Sequence, residues 1–367
     1  AAPSTTTTAP PPPIPHLFFL DSSADAHAPS FNFRCSVESA VRHNPGHDVR
    51  VYSNGLDPEA WHNVSTRITV EPFDPIQWMH EAAARDESGV LREVQQWYRD
   101  RAFETGYPFN NLANAMRLVL LYGRGGTYLD TDVLSVKPLS SLEGHNIVAW
   151  QNNLHDLADS GENERKINVA ELVSFVPESS LIRECLSRFV REFDGAKWGW
   201  QGPDLITRVL RGLNHDEHDV DIRSKDTLNP LGWHEVSRLF DDVSSESGSL
   251  LLRRIQTHTT LVHLWNSQMK GQMPYAGSSS VLVRLYEEAC PVSFREHFAS
   301  VAGAADARNK EQGGHRPGSR FILHADIFPD CVERPTHICA LRRSKVAHAS
   351  RSQEAHVCTC PARMRHG

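Results

Sequence analysis

The 367-residue sequence predicts an α/β fold in which a mostly parallel central sheet is flanked by helices. Two observations carry that prediction. A strand–helix–strand succession stands near the start: apolar His16–Leu20, amphipathic Phe33–His43, then Val49–Tyr52, at the spacing of a βαβ unit. Further on, an amphipathic helix over 111–122 leads through glycines into a short aromatic strand at 127–130. Composition agrees, because 23% charged and 40% hydrophobic residues are ordinary globular usage. Collagen, coiled coil and wholesale disorder are thereby excluded. No run approaches the ~18 apolar residues that a membrane-spanning helix needs.

Element by element, residues 1–15 hold six Pro and four Thr with no charge, which predicts an extended or O-glycosylated stem and not a domain. His16–Leu20 begins the first strand, which Asp21-Ser22-Ser23 ends. Phe33, Val37, Ala40 and Val41 share one helical face, and Asn44-Pro45-Gly46 stops that helix. A helical stretch follows near 90–103. Leu112, Met116, Val119 and Leu120 recur at i, i+4, i+7 and i+8, so 111–122 is helical, with Gly123 and Gly125-Gly126 at its end. Thr127–Asp130 and Ile147–Trp150 read as strands. Leu181 to Phe193 is strongly periodic behind a Ser179 or Ser180 cap, and Gly202-Pro203 opens a further helix. Leu251–Ile255 and Thr260–Trp265 read as late strands, and Val281–Ala289 as a last helix. Beyond about residue 300 the periodicity fades, so the domain is bounded at 16–300 and 301–367 is expected to be a disordered basic tail.

Charge follows the same division. Residues 1–300 carry 27 Lys+Arg against 39 Asp+Glu, whereas 301–367 carry 11 against 6. The acidic body argues against a nucleic-acid partner. Two features suggest the secretory pathway: the glycosylation sequon Asn63-Val64-Ser65, and seven Cys whose odd count and irregular spacing specify no pairing. A zinc site in the tail from Cys331, His337, Cys339, His356, Cys358 and Cys360 matches no standard tetrahedral spacing.

The sharpest chemical feature is Gly125-Gly126-Thr127-Tyr128-Leu129-Asp130-Thr131-Asp132. Asp130 and Asp132 stand two apart at a strand end, where both carboxylates face one side. Two such carboxylates repel unless a cation lies between them. A hard divalent cation with oxygen ligands is the natural occupant, and a diphosphate would fill much of the rest of its shell. An isolated Asp-x-Asp is more often a polar turn; the glycine pair and the preceding amphipathic helix favour the cation.

The block Ala113–Leu139 resembles the Asp-x-Asp block of glycosyltransferase family 32. Phe18–Ser23, Phe33–Ala40, Trp198–Val209 and Val262–Asn266 with Lys270-Gly271 resemble further blocks of that family, in order, across roughly residues 16–295. The resemblance implies a GT-A type, Rossmann-like fold that binds a UDP-sugar and Mn²⁺ (or Mg²⁺) and retains the donor's anomeric configuration. It implies Asp130, Asp132 and His263 as metal ligands. Ser22, Ser23, Arg117 and Lys270, with Asp130, would serve the donor. Gln201, Gly202 and Asp204 would shape the donor-sugar and acceptor pocket. Retention is expected by same-face attack, with Glu171 or Asp204 the residues to consider for a covalent route.

Three departures fall on the sugar side. Asn114 stands where the family has a carboxylate, Asn168-Val169-Ala170-Glu171 replaces Asn-Gly-Ala-Phe, and Trp200 replaces a His. The expected activity is transfer of galactose, or an N-acetylhexosamine, in α-1,4 linkage to a galactose-terminated glycan, foremost a glycosphingolipid such as lactosylceramide. A type II Golgi membrane protein is expected, anchored upstream of this chain with its catalytic domain in the lumen. The departures keep a non-catalytic sugar-binding homologue as the alternative. An Asp-x-Asp phosphohydrolase would carry its motif on the first strand, so it fits poorly.

Overall fold

The computed structural model describes residues 15–22, 28–84, 86–101, 105–154, 157, 164–213, 220–275 and 277–299. The expected stem (residue 15 apart), Ser23, the expected tail and its Cys/His cluster lie outside the described residues.

Seven strands form the central sheet: β1 (His16–Asp21), β2 (Asp48–Ser53), β3 (Ile68–Glu71), β4 (Gly126–Leu129), β6 (Ile147–Ala149), β7 (Glu171–Phe175) and β8 (Asp221–Arg223). Their order is β3-β2-β1-β4-β7-β6-β8. The pairs β3·β2, β2·β1, β1·β4 and β6·β8 are parallel, while β7 runs antiparallel to β4 and β6. The predicted mostly parallel α/β sheet is thus present. A separate two-stranded ribbon pairs β5 (Val133–Ser135) with β9 (Leu261–His263).

Helices cover both faces. On one face, α2 (Pro75–Ala83), α3 (Val90–Asp100), α4 (Pro108–Arg124), α5 (Ser180–Arg191) and α6 (Pro203–Gly212) share a buried cluster with Phe18, Tyr128 and Leu172 of the sheet. On the other, α1 (Phe31–His43) buries Phe33, Val37, Ala40 and Val41 against Leu17, Phe19, Val49 and Val51. After the short α7 (Lys225–Leu228), a third cluster gathers β9 with α8 (Glu246–His258) and α10 (Val281–Ala289). It is tied to α1 by a disulfide between Cys35 and Cys290, with Cα atoms 5.1 Å apart. Beside it, the buried Glu38 carboxylate accepts backbone N–H bonds from Val292 and Ser293, 2.8 Å each.

The turn from α4 to β4 explains the glycine pair. Gly125 and Gly126 have φ of 68° and 99°, a region L side chains avoid. A Cβ on Gly126 would lie 2.3 Å from the His16 carbonyl oxygen. The chain therefore enters β4 tight against β1, which carries Asp130 to the carboxyl end of the sheet.

One expectation is overturned. Leu251–Ile255 is not a strand but part of α8. The Ser245 hydroxyl accepts the Gly248 N–H as an N-cap. Leu251 and Ile255, four apart, are the buried positions, while Leu250 is exposed. The Leu250-Leu251-Leu252 run concealed a helical period. Only Leu261–His263 of the second predicted strand is extended.

Candidate active site

Three side chains that the sequence nominated separately meet at the carboxyl end of β4. Ligand atoms of Asp130, Asp132 and His263 all lie within 4.8 Å of one another. The β5–β9 ribbon makes this possible: it pairs Val133 with His263, placing the histidine beside the end of the Asp-x-Asp turn. The Leu264 N–H bonds the Asp132 carbonyl at 2.9 Å, closing the ribbon end.

Asp132 is 9% exposed and His263 7% exposed. His263 Nε2 lies 3.2 Å from Asp132 Oδ1. The Asn266 backbone N–H, at the start of α9 (Asn266–Met269), donates to Asp132 Oδ2 at 2.8 Å. Burial alone would raise the Asp132 carboxyl, but the facing imidazolium and these hydrogen bonds hold it below the usual carboxylate range. Burial would likewise lower His263, yet Asp132 outweighs it and the imidazole is pushed up to about 9. Trp265 stacks on the ring at 4.0 Å between centroids, in a left-handed backbone conformation held by its Nε1–H donating to the Leu231 carbonyl.

Asp130 sits on a different support. Its backbone N–H bonds the Ala170 carbonyl at 2.8 Å, and the Tyr128 hydroxyl donates to its Oδ1. Arg117, about two helical turns before the glycine pair, is 6% exposed and lies over the Tyr128 ring at 4.4 Å. Its Nη1 donates to the Val169 carbonyl at 2.6 Å and lies 3.4 Å from Asp130 Oδ1. The arginine thus holds β4, the 168–170 turn and one carboxylate of the pair together.

On the adjoining side, α4 meets the start of α6. A Cβ on Gly202 would lie 3.1 Å from Asn114 Nδ2, close enough that the Asn114 amide would have to shift by a few tenths of an ångström. Gln201 is 1% exposed; its Nε2 donates to the Glu192 carbonyl at 3.3 Å, while its Oε1 is buried without a partner. Asn168 Nδ2 is also unpartnered. Glu171 is 1% exposed with both carboxyl oxygens unpartnered, and burial pushes it up to about 8 against the pull of His263.

Two family descriptions match the chain across these elements. A glycosyltransferase sugar-binding region containing a DXD motif covers residues 30–152, and an alpha 1,4-glycosyltransferase conserved region covers 174–297. The chain is a DXD glycosyltransferase. It is 29% identical over 290 residues to the lactosylceramide 4-alpha-galactosyltransferase of Mus musculus, covering 76% of this chain and 75% of that one. It is 24% identical over 314 residues to the alpha-1,4-N-acetylglucosaminyltransferase of Homo sapiens, covering 80% and 85%. The apo-form glycosyltransferase GlyE in Streptococcus pneumoniae TIGR4 aligns with a TM-score of 0.41 at 13% identity, over 78% of this chain and 63% of that one.

In this glycosyltransferase, two carboxylates and one imidazole converge as a donor set suited to a divalent cation. His263 Nδ1 is buried without a partner, leaving the ring's second nitrogen free of any competing bond. Other nominated residues stand apart from this group. Ser22 is half-buried just past β1, beside β4. Lys270 is exposed, in a left-handed conformation after α9. Asp204 is bound to Lys166 at 2.8 Å. Sequence reasoning missed Tyr128, Trp265 and Asn266 as supports of the site. An aromatic two before Asp130, and the residues two and three positions after His263, were the available signals.

Proposed function

We propose that this glycosyltransferase uses a UDP-sugar with Mn²⁺ (or Mg²⁺), and transfers galactose or an N-acetylhexosamine in α-1,4 linkage with retention. The acceptor is a galactose-terminated glycan, foremost a glycosphingolipid such as lactosylceramide. The observation that carries the reading is the convergence of Asp130, Asp132 and His263, braced by Arg117. The acceptor and linkage draw on the relatives named above.

A divalent cation held by Asp130, Asp132 and His263 would supply Lewis-acid stabilisation of the charge that grows on the β-phosphate as the glycosidic bond breaks. His263 would hold it as a neutral imidazole, having given up the proton that Asp132 stabilises on it. Asn266 N–H keeps Asp132 aimed as that proton leaves, and Arg117 keeps Asp130 from turning away. Exposed Lys270 reaches the diphosphate side, and Ser22 the nucleotide side. Gln201 and Asn168, each with a buried, unpartnered amide atom, are the residues proposed to shape the sugar pocket. Same-face attack, with the leaving phosphate taking the acceptor's proton, fits a site in which Asp204 is neutralised by Lys166 and Glu171 is sealed from solvent. The convergence of Asp130, Asp132 and His263 favours the catalytic reading over the non-catalytic alternative.

A Golgi setting as a type II membrane protein, with a lumenal catalytic domain anchored upstream, is the matching proposal. The Cys35–Cys290 disulfide and the exposed Asn63 of the sequon support an oxidising secretory compartment.

The test is a panel of UDP-sugars with Mn²⁺ and lactosylceramide, comparing the parent with Asp132→Ala. Transfer from one donor by the parent, lost in Asp132→Ala, is the expected result. Neither transfer nor hydrolysis of any UDP-sugar by the parent would overturn the catalytic reading, and equal activity in both proteins would overturn the metal assignment.

A further inference from the structure

Nothing in the scheme above uses Glu171, yet it is the costliest side chain in the site. It is 1% exposed and neither oxygen has a hydrogen-bond partner. A buried carboxyl left so is expensive and calls for an explanation.

Its placement narrows the explanation. The β4·β7 register pairs Glu171 with Leu129, so the two side chains share one face of the sheet. Tyr128 and Leu172, one step away, lie in the cluster on the opposite face with α4. Leu129 and Val173 lie instead with Val133 and Leu261, the residues of the β5–β9 ribbon. Glu171 therefore points to the ribbon side, where His263 ends β9. Among the charged groups acting on Glu171, His263 exerts the strongest pull, followed by repulsion from Asp130 and Asp132, with Arg117 weakest.

His263 presents the complementary gap. Its Nε2 faces Asp132, while Nδ1 is buried with no partner. A metal-bound imidazole nearly always donates its second N–H to a carboxylate or carbonyl, which fixes the ring and strengthens the ligand. Glu171 also falls at 153–173, between the two matched family regions, and stands where the resembling block has an aromatic residue.

We propose that Glu171 is the positioning carboxylate of His263: when a divalent cation takes Nε2, the Nδ1–H turns onto the Glu171 carboxylate and the ring is held in its ligating orientation. This rests on the metal reading of the site. Glu171 acts through His263 and touches neither donor nor acceptor.

The experiment is a Mn²⁺ titration, followed by the free-ion EPR signal, of the parent, Glu171→Leu, Glu171→Gln and Asp132→Ala, with thermal midpoints of each in EDTA. Glu171→Leu is expected to weaken Mn²⁺ binding by about 10–100-fold. Its EDTA midpoint is expected at or above the parent's, because an unpartnered buried carboxyl has been removed. Glu171→Gln keeps an oxygen acceptor for Nδ1–H and recovers most of the affinity. Parent-like Mn²⁺ binding by Glu171→Leu would overturn the proposal, as would equal losses in the Leu and Gln variants, which would assign the effect to charge and not to the Nδ1 bond. If Glu171→Leu does not fold, a Gln variant weaker than the parent by the full 10–100-fold likewise overturns it, and one near the parent supports it. Parent-like binding by Asp132→Ala would instead sink the metal reading itself.

Discussion

The proposed cation end and the proposed sugar end of this site are built differently. At the cation end, Asp132 is satisfied twice over by His263 and the Asn266 N–H, and Asp130 by Tyr128, Arg117 and the 170 turn. At the proposed sugar end, Gln201 Oε1 and Asn168 Nδ2 are buried without partners. Buried polar atoms are normally paired. The first end is held by contacts the chain makes with itself, so its residues serve stability and chemistry together. The second keeps hydrogen-bonding capacity unspent, so its residues should affect chemistry more than folding.

Variants can break or sharpen that contrast. The largest effect on stability is expected from Cys35→Ala/Cys290→Ala, which frees the third core cluster from α1. A bridge that closes a 255-residue separation stabilises by about 2–5 kcal/mol, read from urea or thermal unfolding. Arg117→Leu should follow, at about 1–3 kcal/mol, because it leaves the Val169 carbonyl without its donor and Asp130 without its ion-pair partner. It should lower transfer as well, and a variant that loses only activity would contradict the bracing role. Gln201→Met tests the other end: stability should stay within about 0.5 kcal/mol, while kcat/KM falls roughly tenfold, equivalent to about 1.4 kcal/mol. A large loss of stability there would erase the distinction.

A further effect appears only on the acid side and lies outside both ends. Burial, with Arg50 and Arg124 nearby, pushes His16 down to about 4, although Asp48 opposes this. The unfolded chain, with an ordinary imidazole near 6.5, therefore binds more protons between about 6.5 and 4. His16 leaves stability untouched above about 6.5 and erodes it as the pH falls toward 4. His16→Gln should show a shallower acid-side loss in unfolding midpoints, and an unchanged slope would contradict the assignment.

Much of this was legible in the sequence. The stripe Leu112, Met116, Val119 and Leu120, the glycine pair and the two aspartates encode one continuous local device, and the structure presents it as α4 running into β4. What stayed hidden depends on distant or very short pairings. His263 meets Asp132 only through a ribbon of three-residue strands, too short for any period to show. Cys35 and Cys290 are separated by 255 positions among seven cysteines, so spacing could not choose them. The Leu250–Leu252 run looked like a strand because three adjacent leucines mask which one is buried. Glu171 stood out in the sequence only as a departure from the family block and a residue to consider for a covalent route, since its place beside His263 comes from the β4·β7 register.

The most direct test of the central claim is UDP-sugar turnover after EDTA treatment and Mn²⁺ add-back, in the parent and in Asp132→Ala. The parent should lose turnover in EDTA and regain it with Mn²⁺, and Asp132→Ala should fall by about 10²–10³-fold and not be rescued by the metal. Turnover that is indifferent to EDTA, or an Asp132→Ala protein that responds to Mn²⁺ as the parent does, would contradict the assignment of Asp130, Asp132 and His263 as the cation site.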